Sequence, residues 1–155
     1  MKKIIIAMDH APSAQKIAET GYELAKAMNA QTILLHVTSA PAYYPSFNYS
    51  PIIGFDNLNN SNVIEQDVTV ELKKEALHFL HQAKQALGDE AMQTIVEDGD
   101  VAETILMVAS EVKADMIVMG LHGRGGLKKM LLGSVAESVL HRSSIPILII
   151  PTKTV

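Results

Sequence analysis

The chain has 155 residues and no cysteine, and its 13 basic and 17 acidic side chains give a formal net charge of −4. These values exclude disulfide scaffolds, cysteine–zinc sites and thiol catalysis, and they do not favour nucleic acid or an anionic membrane as a partner. The length fits a single domain, 1–155, that needs neither a disulfide nor a metal to fold.

The N-terminal apolar run, Ile4 to Met8, is short and is followed by an acid at Asp9. A signal peptide needs a longer apolar core and a cleavage site of small residues. Nowhere does the sequence approach the ~20 apolar residues of a membrane span. We therefore expect a cytoplasmic protein, in which this run is a strand buried on both faces.

Five short apolar runs predict strands, and the amphipathic stretches between them predict helices. The predicted strands are Ile4–Met8, Thr32–Val37, Met92–Val96, Asp115–Met119 and Pro146–Ile150. The predicted helices begin at Pro12 and Ser13, at about Val63, at Asp100 and at about Ser134. This alternation is typical of an α/β fold with a parallel sheet, right-handed crossovers and helices on both faces.

Local signals fix several helix ends. Asn29 ends the first predicted helix and Gly88 the second, while Asp100 and Glu103 form a capping box at the start of the third. The segment 38–62 interrupts the pattern with three prolines, many Asn and Ser residues and five aromatic residues. We interpret it as a long variable loop, and loops of this length are usually functional or mobile.

The most informative stretch is glycine-rich and leads from the fourth predicted strand into the last helix. The carboxyl end of a parallel strand is where open α/β sheets bind ligands. Gly120 and Gly123 lack side chains, so a ligand can approach the backbone closely. An alternative is that the glycines only make tight turns. The pattern is neither a Walker A loop nor a G-x-G-x-x-G fingerprint.

The end of this stretch predicts an anion site. Gly133 and Ser134 open the last helix, where free N–H groups and the helix dipole suit a phosphate. Arg124, Lys128 and Lys129 supply positive charge nearby in the sequence. A phosphate-bearing ligand is therefore the expected partner of this segment.

The spacing Gly120-x2-Gly123-x9-Gly133-Ser134 resembles the nucleotide-binding signature of the ATP-binding branch of the universal stress protein family. Further matches are Asp9 at a strand end, Leu35-His36-Val37, Gly99-Asp100 and the closing segment from Ser144 to Pro151. The resemblance covers the chain except for 38–62. It departs at His10, where many relatives carry glycine, and this departure affects how the first loop packs on a ribose.

The resemblance implies a five-stranded parallel sheet in the order 3-2-1-4-5, with ATP or a related adenine nucleotide over the switch point between strands one and four. By this resemblance Asp9 contacts adenine or ribose, and the adenine pocket is lined by Ala7, Val37, Met119 and Gly120. The phosphates are held mostly by backbone N–H groups of Gly123, Gly133, Ser134 and Val135. Two further candidates, His122 and Arg124, fall inside the same turn.

Several residues have a plainer reading. Asp9 could cap the first helix, His36 fits a hydrogen-bonded core residue, and His78 and His81 fit a solvated helix face rather than a metal site. The predicted metal, Mg²⁺ or Mn²⁺, would be held mainly by phosphates, because the sequence offers no acidic pair in the segment 120–135.

Two classes of function remain open at this stage. The favoured one is a stress-response or regulatory protein in which the nucleotide acts as a switch. The alternative is an ATP-using enzyme with slow turnover, although no catalytic base or nucleophile elbow is evident.

The apolar fifth strand, Pro146–Ile150, lies at the sheet edge in the order implied by the resemblance. It lacks protecting charges, which predicts a homodimer through this strand. The alternative is that the C-terminal residues fold back and cover this edge.

Overall fold

The computed structural model describes residues 1–39, 61–121 and 132–152, with only the backbone described for 61–68. The elements are β1 (Lys3–Ala7), α1 (Ala14–Ala27), β2 (Gln31–Thr38), α2 (Ser61–Leu87), β3 (Gln93–Asp98), α3 (Val101–Glu111), β4 (Met116–Gly120), α4 (Ser134–Arg142) and β5 (Ile147–Ile150). Every predicted strand is present, displaced by at most two residues. The predicted loop 38–62 was too long at both ends, because Thr38 belongs to β2 and α2 begins at Ser61; its middle, 40–60, lies outside the described residues.

The five strands form one parallel sheet in the order β3-β2-β1-β4-β5, which confirms the predicted fold. β1 is central, and Ile5 pairs with Ile33 on one side and with Ile117 on the other. β2 and β3 lie on one side of β1, and β4 and β5 lie on its other side. The switch point at which open α/β sheets bind ligands therefore lies between β1 and β4.

The central strand is apolar throughout because both of its faces are covered. Ile5 packs into a core beneath α3 and α4, whereas Ile4 and Ile6 pack into a second core beneath α1 and α2. All three side chains are fully buried. Burying each of these side chains stabilises the folded state by about 1.5–3 kcal/mol. The two cores therefore hold the carboxyl ends of the strands in fixed positions.

The turns use the residues that the sequence indicated. The side chain of Asp100 accepts a hydrogen bond from the Glu103 amide at 2.9 Å, as the capping box predicts. Asn29 and Gly88 follow their helices with φ of 50° and 70°, the left-handed geometry that stops a helix.

Within 1–39, 61–121 and 132–152, the structure contains no helix with the length and apolar character needed to cross a membrane.

Candidate functional site

A cleft of about 890 Å³ opens at the carboxyl edge of the sheet, at the switch point between β1 and β4. Its volume lies in the range of small-molecule and cofactor sites, roughly 300–1,000 Å³. The lining includes every predicted site residue that the structure describes: Ala7, Asp9, Val37, Met119, Gly120, Gly133, Ser134 and Val135. The other three, His122, Gly123 and Arg124, lie outside the described residues. The fold thus brings together at one edge residues that are far apart in the sequence.

Three hydrogen bonds stabilise the turn after β1. The Met8 amide donates to the carbonyl of Leu35 at 2.9 Å, and the Met8 carbonyl lies 2.8 Å from Nδ1 of His36. Oδ1 of Asp9 accepts a hydrogen bond from the Ala11 amide at 3.1 Å. These bonds fix the carboxylate of Asp9 at the rim of the cleft.

Asp9 does not cap the first helix, contrary to the plainer reading of this residue. The N-cap of α1 is Ser13, and no side chain makes a hydrogen bond there. The Asp9 side chain instead closes the turn that precedes the helix. Its second oxygen, Oδ2, makes no hydrogen bond within the parts of the chain that the structure describes.

The N-terminus of α4 also lines the cleft. Gly133 is its N-cap, with φ −62° and ψ 151°. Its amide donates to the carbonyl of Leu121 at 2.9 Å, so this N–H is already used. The sequence-based expectation is revised accordingly: the free N–H groups at this helix start belong to Ser134, Val135 and Ala136, which have no partner within the helix. Because these groups carry the positive end of the helix dipole, they favour an anion.

Leu121 joins this helix start to the last strand. Its amide donates to the carbonyl of Ile150 at 2.9 Å, while its own carbonyl accepts from Gly133. A single residue thus links the end of β5 to the N-cap of α4.

A polar cluster lies where β2 and β3 end. Nζ of Lys73 on α2 lies 2.8 Å from Oδ2 of Asp98, and the Thr38 hydroxyl hydrogen-bonds the other oxygen of that carboxylate. The hydrogen bond from Lys73 and then the bond from Thr38 lower the pKa of Asp98, and the same bond to Asp98 raises the pKa of Lys73. Because Thr38 lines the cleft, this cluster connects α2 to the cleft rim.

The structure adds residues that sequence reasoning missed. Leu72 and Glu75 come from α2, Val101 and Ile105 from α3, and Glu137 from the first turn of α4. They reach the cleft through helix packing, which no local spacing encodes. His10 also lines the cleft. Its position directly after Asp9 was the one feature of the sequence that could have indicated this.

Three further histidines lie in the environments expected from the sequence. His36 is buried and hydrogen-bonded, whereas His78 and His81 are exposed on α2. The described ranges contain no group of three side chains suited to hold a metal ion.

Comparison with known proteins gives one consistent family. The model of the universal stress protein family matches residues 1–151. The chain is 32% identical to Universal stress protein YxiE of Bacillus subtilis, covering 96% of this chain and 97% of that protein. It is also 32% identical to Universal stress protein MJ0577 of Methanocaldococcus jannaschii, covering 98% and 96% of the two chains.

Solved structures agree with the sequence matches. The structure of MJ0577 superposes with a TM-score of 0.75 at 27% identity, covering 99% of this chain and 98% of that one. A universal stress protein solved in complex with cAMP has the same fold, with a TM-score of 0.63 at 22% identity and coverage of 98% of both chains.

Proposed function

The chain belongs to the universal stress protein family, and from that premise we propose that it binds ATP or a related adenine nucleotide in the cleft at the β1–β4 switch point. The observation that carries the proposal is the convergence of the eight described site residues on this one cleft. The relative solved with cAMP supports the idea that this fold can hold an adenine nucleotide.

Two parts of the cleft lining suit the two ends of a nucleotide. Ala7, Val37 and Met119 give an apolar wall for a base, and the carboxylate of Asp9 accepts hydrogen bonds from an adenosine. At the other end, the start of α4 presents free N–H groups to phosphate oxygens. The segment that contains Gly123 and Arg124 joins Leu121 to Leu132 in the sequence, and the family resemblance assigns Gly123 to the phosphates.

A divalent cation, Mg²⁺ or Mn²⁺, accompanies the nucleotide and is held mainly by its phosphates. The described lining residues include three carboxylates, Asp9, Glu75 and Glu137, but not a grouped set of metal ligands. Phosphate oxygens and water must then supply most of the coordination, as is common for Mg²⁺. An ATP affinity that is unchanged by a chelator would contradict this part of the proposal.

The nucleotide acts as a regulatory ligand of a homodimer. β5 is the last strand at one edge of the sheet, and Leu121 connects its end at Ile150 to the helix start at Gly133. A ligand that binds the folded state stabilises the elements that form its site. Nucleotide binding at Gly133 therefore stabilises the end of the edge strand through which two copies pair.

The identity of the bound molecule tests the proposal most simply. The protein is purified under native conditions, denatured, and the released small molecules are identified by mass spectrometry. The proposal predicts that the released molecules include an adenine nucleotide, with up to one nucleotide per protomer. A different class of cofactor, such as a flavin, would replace the assignment.

A further inference from the structure

The cleft is lined from both faces of the sheet, and we call the part lined from each face a compartment. Val37, Met119 and Ile105 line it and belong to the core beneath α3 and α4. Met8 and Ile17 also line it but belong to the core beneath α1 and α2. The apolar wall proposed for a base is mainly on the α3–α4 face. The compartment on the α1–α2 face contains the buried polar residue His36.

His36 is the buried polar side chain of this second compartment. It lines the cleft and is only 7% exposed. Its Nδ1 lies 2.8 Å from the Met8 carbonyl, and because a carbonyl only accepts, Nδ1 must carry the hydrogen. In the neutral ring Nε2 is then a hydrogen-bond acceptor. Across 1–39, 61–121 and 132–152, nothing donates a hydrogen bond to it.

The imidazole is held firmly. The ring of His10 meets it edge-on with centroids 4.7 Å apart, and Phe79 on α2 does the same at 5.8 Å. His10 and Phe79 also contact each other at 4.3 Å. The aromatic contacts and the bond to Met8 together restrict ring rotation, so the second nitrogen is a fixed group of the compartment.

The neighbouring groups select the kind of ligand that fits. Asp9 and Glu75 also line the cleft and, as carboxylates, only accept hydrogen bonds. The described lining residues include neither a lysine nor an arginine. A buried acceptor that has no partner is costly, and most such groups in native proteins are satisfied by protein, water or ligand. An N–H or O–H donor on the ligand would satisfy Nε2, whereas a phosphate would be repelled by the carboxylates.

We propose that the compartment on the α1–α2 face binds an N–H or O–H donor of the nucleoside part of the ligand, which hydrogen-bonds to Nε2 of His36. This inference rests on the proposed nucleotide binding and deepens it, because it assigns His36 as a ligand-contacting residue. Two groups of an adenine nucleotide have the required chemistry: the exocyclic amine of the base and a ribose hydroxyl.

Analogues that lack one donor each distinguish these two groups. Wild-type protein is titrated by calorimetry with ATP, with purine riboside triphosphate, which lacks the exocyclic amine, and with 2′-deoxy- and 3′-deoxy-ATP. Loss of the donor leaves Nε2 unpaired, so one analogue should bind about tenfold more weakly than ATP. If purine riboside triphosphate binds more weakly than ATP, the exocyclic amine is the donor to Nε2. If a deoxy analogue binds more weakly, the donor is the corresponding ribose hydroxyl.

A variant links the effect to the imidazole itself. In His36→Asn the amide nitrogen takes the place of Nδ1 and can still donate to Met8, but no group replaces Nε2. The proposal predicts that this variant binds ATP and the discriminating analogue equally. His81→Asn, an exposed histidine of α2 that does not line the cleft, should discriminate as the wild type does.

Nitrogen NMR of the wild-type protein provides a readout that needs no variant. With the imidazole in its neutral form, free protein should show Nδ1 protonated and Nε2 as a pyridine-type nitrogen, and ATP should shift the Nε2 signal upfield as it accepts a hydrogen bond. An Nε2 signal unmoved by saturating ATP would overturn the inference, as would a wild type that binds ATP and all the analogues equally, and in both cases nucleotide binding would stand. A wild type that binds no nucleotide would overturn both proposals.

Discussion

The side chain of Ile17 occupies the space where a side chain on Gly120 would lie. A Cβ added at Gly120 would be 2.5 Å from Cδ1 of Ile17, and it would also be 3.0 Å from Cγ2 of Thr152. Cβ atoms in proteins essentially never approach a neighbour as closely as 2.5 Å, so any side chain at this position requires Ile17 to shift. Gly120 is therefore required by the packing of α1 against the end of β4, whatever it contributes to a ligand.

Gly120→Ala should destabilise the protein by roughly 1–3 kcal/mol, the usual cost of overpacking a core. The clash is with the terminal methyl of Ile17, which valine lacks. The double variant Gly120→Ala with Ile17→Val should therefore recover part of the loss relative to the two single changes. Urea unfolding of the four proteins measures this coupling. Additive effects of the two substitutions would contradict the steric account.

Asp9→Ala should weaken ATP binding by about 1–3 kcal/mol, because a half-buried polar partner of the adenosine would be lost. Calorimetric titration measures the affinity, and thermal unfolding of the same variant measures stability. A large loss of stability with unchanged affinity would show that Asp9 only closes its turn.

Asp89 offers a matched control for that experiment. Its Oδ1 accepts a hydrogen bond from the Ala91 amide at 2.9 Å, which is the same turn that Asp9 makes with Ala11, and Asp89 does not line the cleft. Asp89→Ala loses this turn and the bond from the Tyr22 hydroxyl. It should lower stability and leave ATP affinity unchanged.

The ion pair of Lys73 and Asp98 should contribute stability that depends on pH. The pKa of Asp98 is lowered from 3.8 in the folded state by Lys73 and Thr38, so the folded protein favours the charged form. The stabilisation is complete above the unfolded-state pKa and is lost as the pH falls through the lower folded-state value. Asp98→Asn should thus be less stable than the wild type at pH 6, and the difference should shrink at pH 3.

Denaturant unfolding at the two pH values checks this, with Glu71→Gln as the control. Glu71 pairs with Lys74 at 3.9 Å, but both side chains are more than two-thirds exposed, 68% and 69%. Exposed pairs of this kind contribute little, so the control should differ little from the wild type at either pH. A stability difference for Asp98→Asn that does not change with pH would contradict the account.

The edge of β5 allows a direct test of the dimer. The carbonyls of Pro146 and Ile150 accept hydrogen bonds from the β4 side, from Ile117 and Leu121. Because alternate residues of a parallel strand point their backbone groups to opposite sides, Ile147 and Ile149 present theirs to the open edge. Their side chains pack against the core beneath α3 and α4, so a charged substitution there would also damage the protomer.

Ile149→Pro removes an N–H from the open edge and leaves the β4–β5 hydrogen bonds in place, and proline is tolerated at sheet edges. Sedimentation equilibrium at micromolar concentration should show a dimeric wild type, a dimeric Ile149→Val and a monomeric Ile149→Pro. A monomeric wild type would end the proposal, and a dimeric proline variant would move the interface elsewhere.

The sequence predicted the fold well because its signals are local. Apolar runs such as Ile4–Met8 read as strands buried on both faces, and Asp100 and Gly88 mark helix ends by short-range chemistry. The strand order came from the family resemblance, since the pairing of β1 with β4 joins residues more than a hundred positions apart.

The candidate site was predicted only in part, because local sequence signals do not encode long-range packing. Residues at strand ends and at the start of α4 are marked by motif spacing. Glu75 and Ile105 reach the cleft through the packing of α2 and α3, which depends on the whole tertiary structure. The pairing of the Gly133 amide with Leu121, and the steric role of Gly120, required the structure as well.

Titration of ATP into the wild-type protein and into Gly133→Val, in the presence of Mg²⁺, tests nucleotide binding in the cleft most directly. The φ of −62° and ψ of 151° at Gly133 are accessible to any residue, so valine there adds a side chain beside the helix start without backbone strain. We predict saturable binding of one ATP per protomer by the wild type and binding at least tenfold weaker by the variant. No saturable binding by the wild type, or equal affinities for the two proteins, would contradict a nucleotide whose phosphates lie at the start of α4.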